Sequence, residues 1–595
     1  MILKDVQTLT MKFNILAQLF SDLEDTTKRL EMIDILSSFF ESLRNKADFN
    51  DLDKIIYLLQ GQLVPNIRQF PKMGIAEKMI IEALSVHSGI EGKRIKEVLR
   101  KQGDIGAAAE LILSKKKKQT SLFDYNQNDE ISKSSLEISE LYSELKKIAL
   151  TEGSGSHDIK LGILRGLMRK SSPLETKYLL RIITSTLRVG VQEATIIEGL
   201  ALAFTGMREN KNIIEKAYRL YPDLGEISII LAEQGLDKVK KIDIKYGTPI
   251  LSMLASREIY TEFINRLGVP FVAENKLDGE RLQIHKQGDL VTLFSRRLLD
   301  ISEQYPDVCE VVRENILTQN VIFEGEVVAM DHFYEKMRPF QVLSQRRRKY
   351  DVEDILKEVP VCLFVFDLLK LGDISYVDIP FSDRRRKLEE IVKERDEIRL
   401  VKSVLINKTD ELLDFFNKAR NEGFEGIMAK SIKDDSVYQA GNRGYKWLKL
   451  KSLEGGKLKD TIDVVVVGAF YGKGRRTGLL GTYIGAVYDP ESDNYIAFTR
   501  FFSGIDDELS EALTKDMEDF TLDKKPKNVI CEDKPDIWLT PRVVIEITGD
   551  EITISEKFIT LGFSMRFPVF LRLRPEKGLK DITTVREIHE LYETQ

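Results

Sequence analysis

The residues whose types suggest chemistry begin with a lysine in a short polar string, Lys-Leu-Asp-Gly-Glu-Arg at residues 276–281. Apolar, strand-like runs flank it at 270–273 and 282–284, which predicts a tight connection between two strands. A lysine held there beside an aspartate and an arginine is a candidate covalent nucleophile. The same string is equally typical of an exposed hairpin turn, so its interpretation depends on the rest of the chain.

Further polar side chains follow within segments that are otherwise apolar. Glu324 and Glu326 lie two residues apart in a strand-like run, so one face of that strand would carry both carboxylates. Burying both is costly without a cation or hydrogen-bond donors. Similar positions are Arg296, Phe366, Glu425, Lys449 and Lys451. Each of them, taken alone, is more typical of a solvent-facing or core side chain.

Length and composition restrict the class of protein. The 595 residues allow about three or four domains, and no apolar run is long enough to predict a membrane span. Three distant cysteines indicate reduced thiols in a cytoplasmic protein. Five scattered histidines leave carboxylates as ligands for a divalent cation, which favours Mg²⁺ or Mn²⁺. The net charge of −6 is not typical of a protein that binds nucleic acids, although such binding depends on local patches of positive charge.

The segment patterns predict a multidomain α+β protein. Residues 1–240 are expected to be all-helical, 241–455 mixed α/β, and 456–595 a small β-barrel such as an OB-fold. One helix should begin at Ser172-Pro173, with an apolar face through Leu187 and an end at Gly190. A polar stretch at about 114–135, which includes four successive lysines, predicts a mobile loop.

The order of the polar segments resembles the covalent nucleotidyltransferase superfamily of ATP-dependent DNA ligases, RNA ligases and mRNA capping enzymes. Residues 276–281 resemble its KxDGxR nucleophile motif, and the next four motifs are matched at Ser295-Arg296, Glu326 with Phe366, Glu425, and Lys449 with Lys451. Residues 566–577 are similar to the last motif, motif VI, with Glu576 where the family commonly has aspartate.

The helical part resembles the DNA-binding domain of archaeal and eukaryotic replicative ligases at residues 172–175, 177–179 and 187–191. Residues 247–255 resemble the segment that enters the catalytic domain, with Ser252 where proline is usual. The resemblance therefore covers nearly the whole chain. It implies an ATP-dependent DNA ligase that seals nicks in double-stranded DNA, in replication, repair and recombination. The alternatives are an RNA ligase or capping-type nucleotidyltransferase, which the large helical domain disfavours, and a non-catalytic nick-binding protein, which the intact polar residues disfavour.

The resemblance also implies roles for individual residues. Lys276 would be the catalytic nucleophile, and the nucleotide would be bound by Glu274, Arg281, Arg296, Glu326, Phe366, Arg443, Lys449 and Lys451. Glu326 and Glu425 would hold Mg²⁺ or Mn²⁺, and the motif VI residues Arg566, Arg574 and Lys577 would reach the pyrophosphate of ATP when the barrel domain closes.

A partner is implied by a short peptide in the predicted loop. Gln119, Leu122 and Phe123 resemble the peptide through which proteins bind a sliding clamp (PCNA). The protein is expected to act as a monomer.

Overall fold

A computed structural model of the chain describes residues 11–46, 49–116, 136–347, 352–451, 460–472 and 474–594. The chain separates into two compact units, whose boundaries fall after Ile90, after Ala108 and after Lys451. The predicted division into three domains at residues 240 and 455 stays a prediction. Among the described residues, no helix has the length and apolar character that crossing a membrane requires.

The N-terminal part is helical, as predicted. Its α-helices are α1 Phe13–Glu24, α2 Arg29–Lys46, α3 Leu52–Leu59, α4 Glu77–Ser88, α5 Gly92–Gln102, α6 Ile105–Lys116, α7 Ile138–Leu150, α8 Ser156–Lys170, α9 Pro173–Ile183, α10 Glu193–Thr205, α11 Lys211–Leu220, α12 Leu224–Gln234 and α13 Leu236–Val239.

Helix α9 shows both a confirmed and a wrong expectation. Ser172 caps it by accepting a hydrogen bond from the Glu175 backbone N–H, while the Glu175 side chain accepts from the Ser172 N–H, a capping box. The helix ends at Ile183 and does not run to Gly190 as predicted. Ser185 and Arg188 have φ of 53° and 57°, so the backbone has already left the helical conformation there.

The central part is mixed α/β. Its strands are β1 Leu254–Arg257, β2 Phe271–Lys276, β3 Glu280–Gln287, β4 Leu290–Ser295, β5 Asn320–Ala329, β6 Val361–Leu371, β7 Ile374–Ser375, β8 Ile398–Leu400, β9 Ser403–Ile406, β10 Gly426–Ser431 and β11 Arg443–Leu450. Its α-helices are α14 Phe263–Leu267, α15 Pro306–Asn315, α16 Phe340–Leu343, α17 Val352–Glu358, α18 Phe381–Ile391 and α19 Thr409–Asn421.

These strands form two sheets. One has the order β1-β11-β10-β2-β9, and the other has the order β4-β3-β5-β6-β7 with β8 paired to β6. The first sheet packs against α14 and α19, and the second against α15 and α18. Ile322 and Leu369 of the second sheet lie in one apolar cluster with Trp447 of the first, so the two sheets face each other across their remaining sides.

The C-terminal part is β-rich, as predicted. Its strands are β12 Ile462–Tyr471, β13 Leu480–Asp489, β14 Asn494–Phe501, β15 Thr521–Leu522, β16 Val529–Ile530, β17 Ile537–Leu539, β18 Val544–Thr548, β19 Glu551–Ile554, β20 Phe563–Arg566 and β21 Val569–Leu573, with helices α20 Asp507–Glu518 and α21 Val585–Thr594. Strand β12 pairs with β13 on one side, and with β18 and then β17 on the other. The predicted class, helical then mixed α/β then β-rich, is confirmed.

Candidate active site

The polar string at 276–281 connects the two central sheets. Lys276 is the last residue of β2 in the first sheet, and Glu280 is the first residue of β3 in the second. The predicted strand connection is confirmed, but the hairpin interpretation is wrong because β2 and β3 do not pair. Leu277 is 6% exposed and packs with Val328 and Val401, which fixes the connection between the sheets.

Gly279 lets this connection lie directly against β5. A Cβ atom at this position would lie 2.2 Å from the carbonyl oxygen of Val327 and 2.9 Å from Cγ of Glu326. No side chain fits at such a separation, so glycine is required here by the close approach of two backbones. The segment that carries Lys276 is therefore held in one position.

Lys276 forms an ion pair with Glu425, and Lys451 binds the same carboxylate. The backbone N–H of Glu425 also donates to the Lys276 carbonyl at 2.9 Å. Burial raises the pKa of Glu425, but the charges and hydrogen bonds of Lys276 and Lys451 outweigh burial and hold the pKa below its ordinary value. Glu425 is thus a stable anion that fixes the position of the Lys276 ammonium.

Lys449 and Arg443 add positive charge near the pair of Lys276 and Glu425. Burial lowers the pKa of Lys449, and the charges of Lys451, Lys276 and Arg443 lower it further. The predicted alternation on β11 is confirmed, since Leu448 and Leu450 are buried on the opposite face from the lysines. The first sheet therefore contributes a concentration of positive charge, which suits phosphate.

The second sheet holds Arg281 firmly in place. Its Nη2 donates to Glu324 at 2.7 Å, and its Nη1 donates to the carbonyl of Met253 at 2.8 Å. Glu324 is fully buried and also accepts from the Tyr438 hydroxyl at 2.9 Å. The expectation that two carboxylates on one strand need a cation is correct for Glu324. Its partnership with Arg281 and Tyr438 was missed, because Tyr438 carries no signal in the sequence.

Glu326 accepts a hydrogen bond from the backbone N–H of Gly279, but its environment still opposes ionisation. Burial raises its pKa to about 7, with the neighbouring Glu425 acting in the same direction, while Lys276 and Arg281 act against this shift. Within the described ranges, no group of three or more His, Cys, Asp or Glu residues forms a metal site. Two carboxylates that share a cationic site still fit a Mg²⁺ ion, which takes one or two carboxylates and completes its shell with phosphate and water.

Phe366 lies where the two sheets meet. The Arg281 guanidinium lies 5.4 Å from the centre of its ring, and the Lys430 ammonium lies 4.9 Å from it. Lys430, a strand lysine to which the sequence assigned no role, is 1% exposed and pairs with Glu274 at 2.6 Å. Burial lowers the pKa of Lys430. Oε1 of Glu274 is buried and accepts no hydrogen bond among the described residues, and it forms an ion pair with Nη1 of Arg385 at 3.7 Å.

Comparison with known proteins shows which family this chain belongs to. Family models match residues 12–201 (DNA ligase N terminus), 252–451 (ATP dependent DNA ligase domain) and 476–577 (ATP dependent DNA ligase C terminal region). A DNA ligase of Sulfurisphaera tokodaii is 41% identical over 593 residues, covering 98% of this chain and 97% of that protein. The chain belongs to the ATP-dependent DNA ligase family.

A second relative and a solved structure support the same family and fold. A DNA ligase of Hyperthermus butylicus is 41% identical over 599 residues, covering 99% of this chain and 98% of that protein. A solved structure described as Pmar-Lig_PreS3 has a TM-score of 0.57 at 18% identity, over 94% of this chain and 99% of its own, and shows the same fold. The family predicted from the motifs is confirmed.

The remaining predicted residues of the ligase belong to other segments of the chain. Arg296 is exposed at the end of β4. The motif VI residues form ion pairs in the β-rich part, Arg566 with Glu551 at 2.8 Å and Lys577 with Asp463 at 2.6 Å. The clamp-binding residues Gln119, Leu122 and Phe123 fall outside the described residues.

Proposed function

We propose that this ligase seals nicks in double-stranded DNA through an AMP group carried by Lys276. Lys276 loses a proton to solvent, its Nζ forms a bond to the α-phosphorus of ATP, and the bond from that phosphorus to pyrophosphate breaks. An oxygen of the 5′-phosphate at a nick then bonds to the AMP phosphorus as the bond to Nζ breaks. Finally the 3′-hydroxyl loses its proton to solvent and attacks the 5′-phosphate, which forms the phosphodiester and releases AMP. The observation that carries this proposal is the position of Lys276 between two sheets, paired with Glu425 and surrounded by cations.

The nucleotide would bind between the two sheets. Phe366 supplies an aromatic face for the purine, and Glu274 would meet the edge of the ring through its backbone. Arg281, Lys449, Lys451 and Arg443 would contact ribose and phosphates, with Arg296 at the rim. Because the Arg281 donors Nη1 and Nη2 bind protein oxygens, its guanidinium would act mainly through its charge and its fixed position beside Phe366.

Glu326 and Glu425 are the proposed residues for Mg²⁺ or Mn²⁺. A bound divalent cation neutralises charge on a transferring phosphoryl group. The raised pKa of Glu326 supports the assignment, because a carboxylate disfavoured as an isolated anion gains most from a cation partner. Glu425 also anchors Lys276, so it links the nucleophile to the proposed metal position.

Finer features of the enzyme are proposed from the sequence. Motif VI residues Arg566, Arg574 and Lys577 would contact the pyrophosphate of ATP during the first step. The peptide at Gln119, Leu122 and Phe123 would bind a sliding clamp, and the enzyme would work as a monomer in replication, repair and recombination. A cytoplasmic location is supported by Cys309, Cys362 and Cys531, which are buried free thiols.

The test is transfer of label from α-³²P-ATP to the protein in the presence of Mg²⁺, followed by a denaturing gel. The wild type and a Lys408→Ala control, which removes an exposed lysine of the same region, should both carry label. Lys276→Ala should carry none, and EDTA should prevent labelling of the wild type. Label that persists on Lys276→Ala would show that the nucleophile is wrong. An unlabelled wild type that still binds nicked DNA would favour the non-catalytic alternative.

A further inference from the structure

Two carboxylates of the β-rich part lie directly opposite each other on adjacent strands. Asp463 of β12 faces Glu546 of β18 in an antiparallel pair, and their side chains are 10% and 11% exposed. Like charges in this arrangement destabilise a sheet. The pair therefore requires cations close by, and the structure supplies them from one short segment, residues 572–577.

The cations of this segment satisfy both carboxylates. Nη1 of Arg574 donates to Asp463 at 3.0 Å and lies 3.2 Å from Glu546, and its Nε donates to Glu576 at 2.6 Å. Nζ of Lys577 donates to Asp463 at 2.6 Å. Nε of Arg572 donates to Glu546 at 2.5 Å. We name these six residues the motif VI ion cluster; its three carboxylates and three cations give it no net charge.

A cluster of this composition does not attract a triphosphate strongly. The two residues proposed to bind the pyrophosphate, Arg574 and Lys577, already give hydrogen-bond donors to carboxylates. Phosphate must compete with those carboxylates for the same donors, and the competition opposes binding because charged hydrogen bonds are the strong ones. Asp463 is central to this competition, since it holds both cations at once.

We propose that Asp463 restrains the motif VI cations and so sets the ATP concentration at which the enzyme becomes adenylated. This inference rests on the proposed role of Arg574 and Lys577 at the pyrophosphate. In the resting cluster Asp463 positions both cations and neutralises part of their charge. When ATP binds, its phosphates take the place of the Asp463 carboxylate. Asp463 is thus a positioning residue that weakens ATP binding, and it takes no part in the transfer of AMP to DNA.

The matched comparison is Asp463→Asn against Asp533→Asn. Asp533 is also 10% exposed in the β-rich part and also binds two cations, Arg500 at 2.5 Å and Lys557 at 3.2 Å, but neither is a motif VI residue. Initial rates of enzyme adenylation are measured against ATP concentration with the full chain. Asp463→Asn should lower KM for ATP by about two- to tenfold, the range expected for one partly exposed ion pair. Asp533→Asn should leave KM unchanged.

A second readout separates positioning from general damage to the fold. Wild type and Asp463→Asn that have been adenylated beforehand should seal a nick at equal rates without ATP, because the restraint acts only in the first step. Glu546→Gln removes the other carboxylate near Nη1 of Arg574 and should lower KM in the same direction. It provides the measurement if Asp463→Asn yields little folded protein. An unchanged or raised KM in the folded variants would overturn the proposal.

Lys577→Ala distinguishes failure of this inference from failure of the motif VI assignment. If motif VI binds the pyrophosphate, Lys577→Ala raises KM for ATP. Adding Asp463→Asn to the Lys577→Ala variant should then lower KM by a smaller factor than the same substitution does in the wild type. An unchanged KM in Lys577→Ala would reject the motif VI role itself. A raised KM in Lys577→Ala together with no decrease in Asp463→Asn would reject only the restraint by Asp463.

Discussion

Replacing Glu326 by glutamine should stabilise the central part of the chain at pH 8 while removing adenylation activity. The unfolded chain releases the Glu326 proton near its ordinary pKa of 4.5, whereas in the folded protein burial raises this pKa to about 7. As pH rises through that window, the unfolded state loses the proton first, so the free energy of unfolding decreases. Glutamine does not titrate, and the variant avoids this loss.

The magnitude follows from the two pKa values. At about 1.36 kcal/mol for each pKa unit, the difference between 4.5 and about 7 corresponds to about 3 kcal/mol above pH 7. Glu326 is only half-buried by exposed area, so we expect a gain of about 2–3 kcal/mol at pH 8 and about 1 kcal/mol or less at pH 5. In a region of about 200 residues, the pH 8 gain raises the melting temperature by about 5–10 °C.

The assay is scanning calorimetry of the full chain at pH 5 and pH 8, without nucleotide or metal. Glu324→Gln is the matched control two residues away on the same strand. Because Glu324 accepts from Arg281 and Tyr438, its loss leaves a buried guanidinium without its charge partner and should lower stability. The calorimetric unfolding transition whose melting temperature changes in Glu324→Gln is assigned to the central part of the chain. Equal stabilisation of Glu326→Gln at both pH values, or a lower melting temperature at pH 8, would refute the reasoning.

Two further substitutions test how the site is held. Gly279→Ala should slow single-turnover adenylation by about 100-fold, because the added Cβ would lie 2.2 Å from a backbone oxygen and must displace the segment that carries Lys276. Gly162→Ala, where a Cβ would meet nothing within 4 Å, should react normally; equal rates for both variants would contradict the close approach. Arg384→Met should cost about 3–5 kcal/mol in denaturant unfolding, since it leaves the fully buried Asp367 without its partner at 2.7 Å. Arg386→Met, which removes an exposed pair with Asp383 on the same helix, should change stability little, and equal losses would show that burial is not the cause.

Local features of the chain could be predicted from the sequence wherever short-range rules apply. The start of α9 follows from Ser172 and Pro173, and the two faces of β11 follow from alternation of lysine and leucine. The end of α9 could not be predicted this way. The apolar spacing continues to Leu187, and only the backbone at Ser185 and Arg188 shows that the helix has already ended.

The order of the motifs along the chain was sufficient to name the family, because a motif match depends on residue type; the nucleophile and the groups that handle phosphate are proposed from the same motifs. Which groups meet depended on the tertiary structure. Residues 276–281 pass between two sheets, so Lys276 pairs with Glu425 of one sheet while Arg281 pairs with Glu324 of the other. Contacts between segments distant in sequence determine the partners of Tyr438, Lys430 and Asp463. Pairings of this kind are set by the packing of whole sheets, which residue spacing along one strand does not encode.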